Sequence, residues 1–333
     1  MSLKPGLFLA TAVVAALAPS PIAAQAFTPP QGVGSVTVAW QYVDNLGHLY
    51  SDGYFAARGQ SVTTSLDLEL DYGVTDRLSA TFEVPYVFAK YTGTVPAPSN
   101  LPRDNCRCWH SSLQDFSLAA RFRLGDDRWA VTPLVKYVRP SHDYEYRGEA
   151  VVGRDLWEAQ VGVNVATKLS FLPRASVQAG YTYAFVEKVL DIKLDRSNAF
   201  VDIGYALTRR LYVHANGLWQ HTHGGLRAGS LTGHPFPLPG ELGPPGGVRF
   251  SQRDRILRVN NWKVGGGLAY SVGPTDIFAS ITNVVQGTDS HRSQAYTVGA
   301  TLLRPLGVTS SPCAGVANDI HVRKWRSGED AKR

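Results

Sequence analysis

Four carboxylates in one short stretch are the first candidates for chemistry. In SLDLELDYGVTDRLSATFEVPYV, residues 65–87, Asp67, Glu69 and Asp71 occupy every second position, and Glu83 follows the GVTDR turn. A spacing of two places side chains on one face of a β-strand. The acids therefore share a face. Leu66, Leu68 and Leu70 share the other, joined beyond the turn by Leu78, Ala80, Phe82, Val84 and Tyr86. If the apolar face packs on a core, the acids are merely solvated; if it faces lipid, they line a water-filled interior.

The same parity along the chain extends this inward set. It adds Asp115, Arg121 and Arg123, then Lys136, then Glu158, Gln160 and Asn164. Gln178, Asp202, His214, Asn216 and Lys263 complete it. A lumen lined by both signs creates a transverse field that selects permeants, as charged rings do in pores. Alternatively, the two signs pair with one another and stiffen a narrow wall. Eight strands are filled by side chains and sixteen leave an aqueous channel. For a barrel between those sizes, most of these residues are expected to fill and pair, with a minority touching solute.

Other reactive residues give weaker signals. HTHGG, residues 221–225, brings His221 and His223 together, with His234 further on. Without third and fourth ligands at informative spacing, the reading is a loop pair with hydrogen-bonding roles, and no metal or cofactor is expected. Arg249, Arg253, Arg255 and Arg258 suit lipopolysaccharide phosphate, against a default of a solvated loop. Cys106, Cys108 and Cys313 are too few for a disulfide scaffold, and their odd count leaves at least one unpaired within the chain; the CRC pair is open to a strained disulfide or half a metal site but is expected as two loop thiols. A lipid-side hydrolase needs an outward His beside a Ser. His214 has inward parity, and Ser197 has outward parity near a strand end with no His expected beside it, so no catalytic residues and no enzyme are expected.

The elements that must position these residues are strands. Period-two alternation recurs near residues 34–43, 61–72, 78–90, 115–124, 128–138, 155–166, 174–186, 196–206, 210–221, 256–271, 275–286 and 293–304. The segment from Thr275, TDIFASITNVV, shows the least parity. Such lengths suit tilted membrane strands of about 9–11 residues. The connections sort by parity. GVTDR, GDDR, TKLSFLPR, LTRR and VGPT are short, and they alternate with longer segments such as 91–114 and the Gly/Pro-rich 222–255. Aromatics bracket apolar runs, as in Trp262, Val264, Gly266, Leu268 and Tyr270. Tyr72, Tyr205 and Tyr270 mark one girdle, and Tyr42, Tyr86, Tyr183, Phe185, Trp219, Trp262 and Tyr296 the other. Together these predict an all-β chain: a transmembrane, antiparallel, up-and-down β-barrel of about 12 strands with both termini periplasmic.

The ends supply the compartment. MSLK is a short basic start, GLFLATAVVAAL an apolar run, and APSPIAAQA a set of small-residue cleavage sites. Residues 1–26 read as a secretory signal peptide, cleaved after Ala26 or after Ala24. Residues 27–304 are expected to form the outer-membrane barrel, and 305–333 a polar, disordered periplasmic tail. At 44% hydrophobic and 18% charged, the composition looks soluble, as two-faced strands and long loops require. The net charge of +6 is diffuse, and nucleic acid is a poor partner for an exported chain with no binding motif. The expected partners are a small-molecule solute, outer-membrane lipid and lipopolysaccharide; the sequence is silent on oligomeric state.

The stretches GVGSVTVAWQYV, DYGVTDRLSATFEVPYVFAKYTG, SHDYEYRGEAVVGRDLWEAQVGVNV and YTYAFVEKVLDIKLDRSNAFVDIGYALTRRLYVHANGLWQHTHGGLR resemble bacterial outer-membrane transporters of the phenol-degradation meta-pathway type. The likeness runs from about Gly34 to Leu302. It implies a channel for uptake of small solutes, aromatic or otherwise hydrophobic ones included, and offers no catalytic residues to carry over. One departure stands out: the last strand is followed by a polar tail instead of ending on an aromatic residue. The alternatives are an embedded phospholipase-like hydrolase and a closed structural or adhesive barrel.

Overall fold

A computed structural model of the chain describes residues 26–57, 60–92, 107–126, 128–148, 150–227 and 247–305. In chain order the strands are β1 (Val33–Leu49), β2 (Phe55–Ala56), β3 (Gln60–Gly73), β4 (Leu78–Thr92), β5 (His110–Leu113), β6 (Asp115–Phe122), β7 (Leu124–Gly125), β8 (Trp129–Pro140), β9 (Glu158–Lys168), β10 (Ala175–Val186), β11 (Arg196–Ala206), β12 (Leu211–Thr222), β13 (Asn260–Val272), β14 (Thr275–Thr288) and β15 (Ser290–Pro305). All but the short β2, β5 and β7 pair with their sequence neighbours in one antiparallel sheet. The sheet closes where β15 pairs with β1, from Val33↔Pro305 to Leu49↔Ser290. Closure leaves no long strand with a free edge, which is what hydrocarbon demands of a sheet. The fold is thus a closed twelve-strand antiparallel barrel with three short added strands.

Which face is wet follows from exposure. Leu118, Val135 and Ile203 are more than half exposed, whereas Ser79, Thr132 and Thr297 on the opposite parity are fully buried. Apolar side chains outside and hydroxyls, amides and charges inside reverse the arrangement of a soluble sandwich. A continuous belt of exposed Leu, Val, Ile and aromatic residues has no place in water. No helix among the described residues is long and apolar enough to cross a membrane.

Two expected elements differ from those observed. The strand from Thr275 has a clear parity after all: Phe278, Ser280, Thr282 and Val284 are buried, while Ile277 and Ile281 are exposed. Its sequence hid this because Phe278 and Val284 are apolar residues on the inner face. The strand expected from residue 256 begins only at Asn260. Residues 253–256 form a helical turn instead, because Ile256 is fully buried in a cluster with Leu156, Ala184, Val186, Leu194 and Leu257.

Both mouths carry chain. At the long-loop end, the β12–β13 connection contains α1 (Val248–Ser251) and α2 (Arg253–Ile256). Gln252 Nε2 donates to Tyr146 Oη at 2.9 Å, and Arg255 Nη2 donates to the Asp155 carbonyl at 2.7 Å. The Arg255 guanidinium also lies 4.3 Å from the centre of the Tyr146 ring. Arg253 acts electrostatically on His48 of β1 and His291 of β15. The segment thus reaches from the β15–β1 seam to the β8–β9 connection, across the opening. Arg255 and Arg258, whose Nε donates to the Gly224 carbonyl at 2.8 Å, are thus held by loop carbonyls and a ring and not merely solvated, whereas Arg249 is exposed as expected of a solvated loop.

At the short-turn end, the residues before β1 turn into the barrel. The Thr132 hydroxyl donates to the Ala26 carbonyl at 2.5 Å, and the Ala26 N–H reaches Gln178 Oε1 at 3.2 Å. Phe27 packs with Ala130 and Ala166, under Lys168. Gln31 N–H bonds Asp76 Oδ1 at 3.0 Å, tethering the segment to the β3–β4 turn. Residues 1–25 of the expected signal peptide and 306–333 of the expected tail lie outside the described residues, as do Cys106, Cys313 and His234.

Candidate functional site: the barrel interior

Strand register brings the inward residues together as ion pairs. Arg121 on β6 meets Asp71 on β3 at 2.5 Å, and Thr81 donates to the same carboxylate at 2.9 Å. Lys136 on β8 meets Glu83 on β4 at 2.8 Å, and Ser117 between them donates at 3.1 Å. Glu158, at the start of β9, takes Arg196 from β11, Arg154 from the loop at 3.4 Å and Gln160 at 3.2 Å. His214 Nδ1 lies 2.7 Å from Asp202 Oδ2, with the Tyr212 ring stacked on the imidazole. Each of these charges has acquired a partner, as burial requires.

The remaining expected residues sit elsewhere on this face. Asp115 lies near the long-loop end, accepting from Tyr144 Oη at 2.5 Å. Arg123 lies just past β6 at the short-turn rim, donating to the Asp76 carbonyl at 3.2 Å. Glu69 stands across from Glu83 and Thr37 in register. Asp67 accepts from Ser65 at 2.9 Å. Asn164, almost fully buried, faces Gly180 and Thr132. Asn216 is buried with neither amide atom hydrogen-bonded. Lys263 has no ion pair among the described residues.

A cavity of about 190 Å³ opens on the inner wall of β10–β13. Two rungs of the ladder build it. Thr182, Asn198, Gln220 and Asn261 align as a polar rung, and Gly180, Phe200, Leu218 and Lys263 form the next one toward the short-turn end. The space exists because position 180 is glycine: a Cβ there would collide with the Phe200 ring and with Asn164 Oδ1. The ring therefore lies against the wall, leaving the lumen beside it open.

Sequence parity could have found Arg196, which shares the inward face of Asn198 and Asp202. It could not have found Arg154 or Tyr144, which reach the interior from a loop. Two expectations are corrected outside the lumen. Cys108 is in a disulfide and is not a free loop thiol; its partner lies outside the described residues. Ser197 does have a histidine beside it: His223 Nε2 is 2.7 Å from its hydroxyl, brought there because β11 and β12 end side by side. Tyr181 Oη is also 2.7 Å from Ser197, and His223 stacks on Tyr183 and abuts His221. Among the described residues no carboxylate orients that imidazole, and the serine is buried beneath the rings, so the group reads as a hydrogen-bonded aromatic belt. Among the described residues no group of three or more His, Cys, Asp or Glu is placed to hold a metal ion.

No protein-family model matches the chain, and no curated protein matches it in sequence. Among solved structures it is similar to the COG4313 outer membrane channel from Pseudomonas putida F1, with a TM-score of 0.65 and 12% identity over 86% of this chain and 100% of that one. Two looser likenesses share the barrel architecture. The translocator domain of autotransporter NalP from Neisseria meningitidis has a TM-score of 0.47 and 10% identity over 84% of this chain and 91% of that one. The NanC porin has a TM-score of 0.46 and 9% identity over 80% and 98%. What the likeness shows is the fold, a closed twelve-strand antiparallel barrel of the outer-membrane kind.

Proposed function

We propose that the chain is an outer-membrane channel of the phenol-degradation meta-pathway transporter type, taking up small solutes, aromatic or otherwise hydrophobic ones among them. The observation that carries the reading is the reversal of faces: an exposed apolar belt around an interior of paired charges, amides and hydroxyls. The inward residues from Asp67 to Lys263 are the wall of the solute path. The short turns lie in the periplasm and the long loops outside, in contact with lipopolysaccharide.

Purified barrel in planar bilayers tests this reading. Discrete conductance steps and solute flux are expected; an electrically silent barrel under every voltage and salt condition sinks it. Epitope tags inserted at Asp143 and at Asp126 test the orientation: antibody should reach only the first on intact cells. A closed structural barrel is the second reading, favoured by the two capped mouths. Under that reading, removing residues 26–31 would leave the barrel silent, whereas a gated channel would conduct more.

A further inference from the structure

We propose that the β10–β13 cavity is a binding subsite for small organic carboxylates with an apolar or aromatic body, the carboxylate taken by Lys263. The inference rests on the channel reading and names its substrate class.

Three observations converge. The inner charges at Asp71, Glu83, Glu158 and Asp202 each have an opposite partner, yet no acid pairs with Lys263 among the described residues. Arg196 adds positive potential at Lys263. An ammonium without an ion-pair partner among the described residues, lining a cavity, calls for an anion from outside the protein. The second observation is Asn261. It is nine-tenths buried, borders the cavity, and leaves its side-chain oxygen without a hydrogen bond. That oxygen is shielded from the cavity, so what the rung offers a carboxylate is N–H groups, from the Asn198 amide and from Gln220, whose Nε2 also donates to the Val259 carbonyl at 3.4 Å. The third is the apolar floor: Phe200 and Leu218 lie in register with Lys263, one rung below the amides. A carboxylate on the ammonium puts a ring or short chain on Phe200 and Leu218. A cavity of about 190 Å³ holds a body of one-ring size.

This placement discriminates. Inorganic anions reach Lys263 but leave Phe200 and Leu218 unused; neutral aromatics use the floor but not the charge. Charge-assisted hydrogen bonds are about twice as strong as neutral ones, so the carboxylate dominates the preference.

Isothermal titration of the full-length detergent-solubilised barrel with benzoate, benzamide, acetate and chloride provides the test. Benzoate is expected to bind roughly tenfold or more tightly than benzamide or acetate. K263Q should lower benzoate affinity by about that factor and leave benzamide unchanged, and K263R should retain most of it. Equal affinity for benzoate and benzamide in the unmutated protein overturns the proposal without recourse to any variant. So does displacement of benzoate by chloride at equal concentration, which would mark a bare anion site. The measurement needs no conduction. Lys263-dependent benzoate binding by an electrically silent barrel would refute the channel and leave the subsite standing. Conductance without benzoate preference would refute the subsite alone.

Discussion

Replacing Glu158 by glutamine removes one negative charge and keeps the shape, and it should destabilise the barrel by about 3–5 kcal/mol, the cost of breaking a buried pair. Glu158 faces Arg196 and Arg154 with only 10% of its side chain exposed, and their side chains are 15% and 24% exposed. Two unit charges about 4 Å apart at an effective dielectric near 20 interact by roughly 4 kcal/mol, so the independent estimate agrees. The two guanidinium groups left behind cannot escape by losing protons. Burial, and then the like charge of Arg196, pull Arg154 down to about 10, still well above neutral pH. The sign of its pH dependence follows. Arg154 binds its proton less tightly folded than unfolded, so stability rises as pH climbs through and above about 10. R154Q should abolish that part of the rise. The assay is urea unfolding of the barrel in detergent, read by heat-modifiable electrophoretic mobility. A loss below about 1 kcal/mol for E158Q would show that water reaches the triad and would refute the argument. The double variant E158Q/R196Q should recover a large part of the loss; strict additivity would show the pair uncoupled.

The remaining predictions use the same reading of the interior and its mouths. Tyr144 donates to Asp115 and accepts from the Asp155 N–H at 2.9 Å, and burial followed by Asp115 raises its phenol so that it stays neutral. Y144F should therefore cost about 1–3 kcal/mol and speed proteolysis of the β8–β9 connection; unchanged cleavage rates would show the hydrogen bonds idle. In G204A the new methyl would land on the Tyr212 ring, forcing it off His214 at about 1–3 kcal/mol by the same gel-shift titration, and G204A/Y212A should be milder. Because the Ala26 carbonyl and N–H are both held inside the barrel, processing after Ala24 is expected, and the intact mass of the mature protein should include Gln25 and Ala26. A mature mass beginning at Phe27 would show those contacts dispensable.

Strand parity was legible because one face of each strand meets hydrocarbon, which tolerates little but apolar side chains. It located Asp71, Glu83, Glu158, Asp202 and His214 on one face. Their partners were less visible: which base meets Asp71 depends on register between β3, β4 and β6, and register is a property of turns and closure. The caps were illegible for a different reason. Ile256 and Arg255 have no period to read; they are fixed by contacts with Leu156 and Tyr146, which lie about a hundred residues away. His223 escaped notice because adjacency to Ser197 runs across strands and not along the chain.

The pairing decides what the interior can select. A carboxylate bound by a guanidinium at 2.5 Å presents almost no net field to a passing ion, and the same holds for Lys136 with Glu83. Most of the two-signed wall is therefore mechanical, joining β3 to β6 and β4 to β8 across the intervening strand or the lumen. Among the described inner charges without an ion pair are Asp67, which accepts from the Ser65 hydroxyl, Asp115, which accepts from Tyr144, and Lys263. They stand on different strands, β3, β6 and β13, with Phe200 and Leu218 beside the cation. A solute moving between the two caps meets the field of these charges and an apolar surface on one side only. If the proposed subsite holds, that asymmetry is expected to favour an anion with a hydrophobic body over a sugar or an inorganic ion.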